Sequence, residues 1–150
     1  MLKMREVKDM LMGLTLPVLA IASVCDIKSR TIPMWTVFGC GAPALLSVAI
    51  PLSDGEAVLL SAMGGMLPGL ILILISALIP GSIGRGDGLL ALSLGPLFGA
   101  ERMAVGLMIS FILSGAGSAV MLLSKRADRH TALPFVPFLM LGMGVMMFNA

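Results

Sequence analysis

The sequence predicts an all-α, polytopic membrane protein with about six transmembrane helices, and three observations predict it. Of the 150 residues, 58% are hydrophobic and only 12% are charged, whereas a soluble domain averages about 25% charged residues. Mean hydropathy is +1.06. Apolar runs close to the length of a membrane span, about 20 residues, follow one another with short polar connections and use up nearly the whole chain. Nothing is left over for a soluble domain, so residues 1–150 read as one membrane-embedded domain. A formal charge of +2 without a basic stripe argues against nucleic acid as a partner, leaving the lipid bilayer as the obligatory one.

The elements follow in order. Residues 1–9 carry mixed charge and suit the membrane interface; the first apolar run covers 10–25 and ends at Asp26. With its basic start and Ala20-Ile21-Ala22, this region also fits a secretory signal peptide, although small residues equally suit helix packing. The polar connection Lys28-Ser29-Arg30-Thr31-Ile32-Pro33 leads into a second span over 33–50, where Pro33 costs no hydrogen bond at a helix start. Trp35 marks its interface. A third span covers 57–79, with an expected kink at Pro68 and a Gly65-x-x-x-Gly69 spacing that permits close helix contact.

The run 88–99 is short, about 18 Å at about 1.5 Å per residue, against about 30 Å of bilayer core. It must start or stop within the membrane or be extended by its flanks. A fifth span covers 103–124, and a sixth starts near Leu133-Pro134-Phe135-Val136-Pro137-Phe138 and ends at Phe148. With six spans, Lys28, Arg30, Arg85, Lys125, Arg126 and Arg129 share one side, opposite Lys3, Arg5, Lys8 and Arg102. The positive-inside rule puts the first group, with Asp26 and Asp87, at the cytoplasmic face.

The chemistry concentrates in Gly81-Ser82-Ile83-Gly84-Arg85-Gly86-Asp87-Gly88. A carboxylate at the edge of hydrocarbon is expensive, which makes a functional role the default. The glycines let another backbone, such as a peptide substrate, come close, so Gly84, Arg85, Gly86 and Gly88 read as an active-site loop. Asp26 is the best partner for Asp87. Two carboxylates brought together share a proton, and the pair can then act as general base on water and as acid on a carbonyl. This is the chemistry of an aspartyl protease. Simpler roles stand beside it: Asp87 as a helix cap, Asp26 as an interfacial charge paired with Lys28 or Arg30. The sole histidine, His130, lies beside Arg129 with no evident nucleophile. Cys25 and Cys40 lack metal-ligand spacing, so no metal and no cofactor is expected.

These residues resemble the type IV prepilin peptidases, the prokaryotic GxGD-type intramembrane aspartyl proteases. Gly84-Arg85-Gly86-Asp87 matches the GxGD signature. Asp26-Ile27-Lys28-Ser29-Arg30-Thr31-Ile32-Pro33 resembles the context of the family's first catalytic aspartate, and Pro134-Phe135-Val136-Pro137-Phe138 its late Pro-Phe-x-Pro-Phe segment. The resemblance implies an endopeptidase of the prokaryotic cytoplasmic membrane that cuts the leader from prepilins or prepilin-like proteins. Asp26 and Asp87 would be its catalytic acids, and Pro134, Phe135 and Pro137 would belong to the active-site region. Two positions depart from the common pattern: Met34 stands where many members have Asn, and Leu89 where many have Lys. The zinc-binding N-terminal region of the bifunctional members has no counterpart in this sequence, so peptidase activity without N-methylation is expected. The alternative class is a small transporter or assembly protein that uses Asp26 and Asp87 to bind a cation or relay protons; the Ile-Pro and Pro-Phe contexts do not fit it.

Two measurements check this reading. N-terminal sequencing of membrane-extracted protein is expected to find the first span retained; a chain starting at Ser23 would remove that span and the proposed Asp26–Asp87 pair. Incubation with a processed pilin and a methyl donor is expected to leave the pilin unmethylated.

Overall fold

The computed structural model describes residues 2–29, 32–49, 55–79, 84–124 and 134–148. These form five helices: α1 (Leu2–Ser29), α2 (Met34–Ala49), α3 (Gly55–Leu78), α4 (Arg85–Leu123) and α5 (Val136–Phe148). Among the described residues there is no strand. Asp9–Ser29 of α1, Glu56–Leu78 of α3 and the whole of α4 are long and apolar enough to cross a membrane, while α2 and α5 are shorter apolar helices. The protein is therefore an all-α membrane protein. Residues 30–31, 50–54, 80–83 and 125–133, which include Arg30, Asp54, Gly81, Ser82, Ile83 and His130, lie outside the described residues.

The helix starts follow from local chemistry. Pro33 stands just before α2, and its carbonyl accepts both the Thr36 N–H at 3.0 Å and the Thr36 hydroxyl at 2.7 Å. α3 continues through Pro68 as one helix. The expected fourth and fifth spans both appear: α4 is two helical runs, 85–98 and 100–123, that meet at a kink at Gly99 (φ 77, ψ 174). Glu101 and Arg102, read from the sequence as a loop, are helical. A left-handed residue suffices to redirect the chain, and glycine adopts it without steric cost. Here a side chain would also collide with the Ser61 hydroxyl, 2.6 Å from an added Cβ. The run before the break, 85–98, is about 21 Å long, so it remains shorter than the bilayer core.

The first half of α4 is the centre of the bundle. α4 packs against each of the other four helices, most extensively against α3. Leu90, Ala91, Leu94, Leu97 and Met103 are fully buried, joined by Met12, Leu19 and Ala22 of α1, Cys40 of α2, and Val136, Leu139 and Met143 of α5. Outward-facing residues are as apolar as the core: Leu60, Leu67 and Leu74 of α3 and Phe38 and Leu45 of α2 are all exposed. Apolar residues all round a helix are what a hydrocarbon solvent demands.

Lipid contributes no hydrophobic drive between helices, so close packing must hold them together. At the α3–α4 seam the backbones touch. A Cβ on Gly95 would lie 2.5 Å from the Gly65 carbonyl carbon, and one on Gly65 would lie 2.7 Å from the Gly95 carbonyl carbon. Gly69, the second glycine of the Gly65-x-x-x-Gly69 spacing, meets the backbone of Leu92 in the same way. Hydroxyls in the spans are satisfied within their own helices. Thr15 Oγ1 donates to the Met12 carbonyl at 2.7 Å, and Ser110 Oγ to the Gly106 carbonyl at 2.7 Å. Among the described residues no buried side-chain nitrogen or oxygen lacks a partner.

Gly95→Ala is expected to destabilise the protein by about 3 kcal/mol, because the helices must separate to admit the methyl group. Gly115→Ala, at a position where an added Cβ meets nothing within 4 Å, is expected to be neutral or slightly stabilising through helix propensity. Thermal unfolding of both variants in detergent checks the contrast.

Candidate active site

Asp26 and Asp87 come from opposite kinds of helix end. Asp26 lies in the last turn of α1, where the exposed carbonyls make a carboxylate unfavourable, and Asp87 lies in the first turn of α4, where the dipole favours one. The chain corrects the first of these from a distance. Asp26 Oδ2 accepts the backbone N–H of Val136 at 3.1 Å, across 110 residues of sequence, so the positive end of α5 faces the negative end of α1. Its observed partner is thus an amide of the Pro-Phe segment, and neighbouring Lys28 is exposed.

Asp87 is held locally. The N-cap of α4 is Gly84, in an extended conformation (φ −65, ψ 130), so Asp87 is the third residue of the helix and not its cap. From that position its carboxylate reaches back over Gly84, as third-position acids commonly do. A Cβ on Gly84 would stand 2.7 Å from Asp87 Oδ2. Gly86 is needed for a different contact: a Cβ there would come within 3.0 Å of the Ile32 side chain. That packing brings the residues ahead of α2 against the start of α4.

The two carboxylates, 7% and 9% exposed, line one cavity of about 390 Å³ together with Ile32, Met34, Gly84, Arg85, Gly86 and Leu89. They are close enough to interact electrostatically. The structure therefore brings together Asp26, Gly84, Arg85, Gly86 and Asp87 from the sequence reading. Gly88, Pro134, Phe135 and Pro137 are not in the cavity wall. Gly88 packs on Ile73 of α3. Phe135 packs against the core, its ring 5.0 Å from that of Phe111.

Ile32 and Val136 fall inside the Ile-Pro and Pro-Phe segments, but the sequence reading gave neither a role at the site. Ile32 looked like part of a connection, and Val136 acts through a backbone atom that no side-chain pattern reports. Met34 and Leu89, noted as departures from the family pattern, both line the cavity. Among the described residues no group of three or more His, Cys, Asp or Glu is arranged to hold a metal ion. A second cavity, of about 270 Å³, lies some 25 Å away along α1, lined by Asp9, Ser61, Phe98, Gly99, Ala100, Glu101 and Arg102.

Fold and site together define a helical membrane protein with two buried acids at helix ends around a common cavity. A family model described as the type IV leader peptidase family matches residues 13–120. The chain belongs to that family, and with it to the peptidases. The matched region contains both aspartates and the 84–88 stretch, whereas 134–138 lies beyond it. No curated protein matches the chain at a significant level, nor does any solved structure.

Proposed function

We propose that this protein is an aspartyl endopeptidase that removes the leader peptide from a prepilin or prepilin-like precursor at the cytoplasmic membrane face. The observation that carries the reading is the pair of buried carboxylates, Asp26 and Asp87, lining one cavity beside a glycine-rich helix start. Two such groups in a space of low polarity do not both carry full charge, and the pair shares one proton. The ionised member takes a proton from water as its oxygen attacks the scissile carbonyl carbon. The protonated member gives its proton to the carbonyl oxygen. Collapse of the tetrahedral intermediate breaks the C–N bond: the amine leaves with a proton from the carboxyl that had served as base, while a hydroxyl of the intermediate returns its proton to the other carboxylate as the carbonyl re-forms. One water is consumed, and the dyad regains its single shared proton.

The surroundings suit a leader-bearing substrate. Arg85 lines the cavity and Lys28 is exposed at the same end of α1, whereas Arg102 lies at the far cavity. The far end also carries Lys3, Arg5 and Lys8, and it is the whole-chain count, six basic residues against four, that favours an active site at the cytoplasmic face. Exposed Ile27, Met34 and Phe38 give α1 and α2 an apolar flank near the cavity, against which the hydrophobic helix that follows a leader can lie. Whole-chain unity, as a single peptidase domain over 1–150, is part of the same proposal.

Co-expression with a prepilin-like substrate tests the reading. Asp26→Asn and Asp87→Asn keep side-chain size but cannot exchange a proton, and each is expected to lower cleavage by at least about 100-fold while still inserting. A variant that cuts at the wild-type rate takes that residue out of the mechanism. Gly84→Ala is expected to lower cleavage by at least about tenfold by displacing the Asp87 carboxylate. Its stability should hold, since Gly84 already has a backbone conformation open to alanine.

A further inference from the structure

Resting on the dyad reading, we infer that the Val136 backbone N–H is a positioning group for Asp26, and that the start of α5 is built to deliver it. The first turn of α5 has its donors fully assigned. Pro137 has no N–H, and the N–H groups of Phe138 and Leu139 both donate to the Phe135 carbonyl at 3.0 Å. Only the Val136 N–H is left for an outside acceptor, and Asp26 Oδ2 takes it at 3.1 Å. The donor itself is immobilised. The Val136 side chain is completely buried in the core, and the preceding residue, Phe135, is anchored by its ring against Phe111.

The consequence is geometric. One oxygen of Asp26 is committed to a rigid amide and the other remains for water, so the carboxylate cannot rotate freely in the cavity. A charge-assisted hydrogen bond of this kind is about twice as strong as a neutral one. The group is a backbone amide, so its role is independent of the residue type at 136. Asp87 is held differently, by Gly84 of its own helix turn and not by a distant element.

Proline at the first position of a helix is well tolerated and lacks only the N–H, which makes Val136→Pro a selective deletion of the donor. Val136→Ala keeps the amide and loses side-chain packing, and so serves as the control. In the co-expressed or reconstituted full chain, V136A is expected to retain kcat within about threefold of wild type. V136P is expected to lose about 100-fold in kcat with KM close to that of V136A, the cost of a catalytic group about 1 Å out of place. Equal kcat for V136P and V136A, with D26N inactive, would overturn the inference and leave the dyad reading standing. Wild-type cleavage by D26N would overturn the dyad reading, and the inference with it. If V136P does not accumulate, 15N-valine-labelled protein decides: the Val136 amide resonance should move in Asp26→Ala, and a resonance that stays in place would sink the proposal.

Discussion

Hydrocarbon offers no hydrogen-bond partner, and the whole structure answers to that constraint. Every regular element among the described residues is a helix, which satisfies its own backbone. Serine and threonine hydroxyls fold back onto carbonyls one turn earlier. The groups that cannot be satisfied so locally are helix ends, and the candidate site is assembled from helix ends. The carbonyl end of α1 carries Asp26, the amide end of α4 carries Asp87, and the amide end of α5 supplies the hydrogen bond that makes Asp26 tolerable in its position.

Close approach of backbones is what allows such ends to meet. α4 is drawn against α3 through Gly65, Gly69 and Gly95, where any side chain would force the helices apart. The same helix is redirected at Gly99, so its short first run carries Asp87 at its start and fills the centre of the bundle. The glycines that hold α3 and α4 together thereby help to place the Asp87 carboxylate at the cavity.

The family match gives this arrangement its context without dictating its geometry. It spans both acidic residues but not the Pro-Phe segment. In the structure that segment lies outside the cavity wall and touches the site only through one amide. Its prolines and aromatic ring serve to start α5 at a fixed place. Met34 and Leu89 give the cavity an apolar side.

Much of this was legible in the chain itself. Composition determines the membrane class, because no soluble core or surface can be built with so few charges. Apolar runs locate α2, α3 and α5 to within a few residues, whereas α1 begins eight residues before its apolar run, through the mixed-charge start. The glycine-flanked Asp87 and the isolated Asp26 mark the candidate site, because hydrocarbon makes unpaired acids costly, and the structure places both on one cavity. Other features had no local signature. The tight turn between the two runs of α4 is made by a single positive φ at Gly99, where the Glu101-Arg102 pair suggested a loop. Neither the cavity wall at Ile32 nor the bond from Val136 to Asp26 leaves a mark in nearby residues. Sequence patterns report what neighbours along the chain must do, whereas a hydrogen bond across 110 residues exists only once the helices have packed.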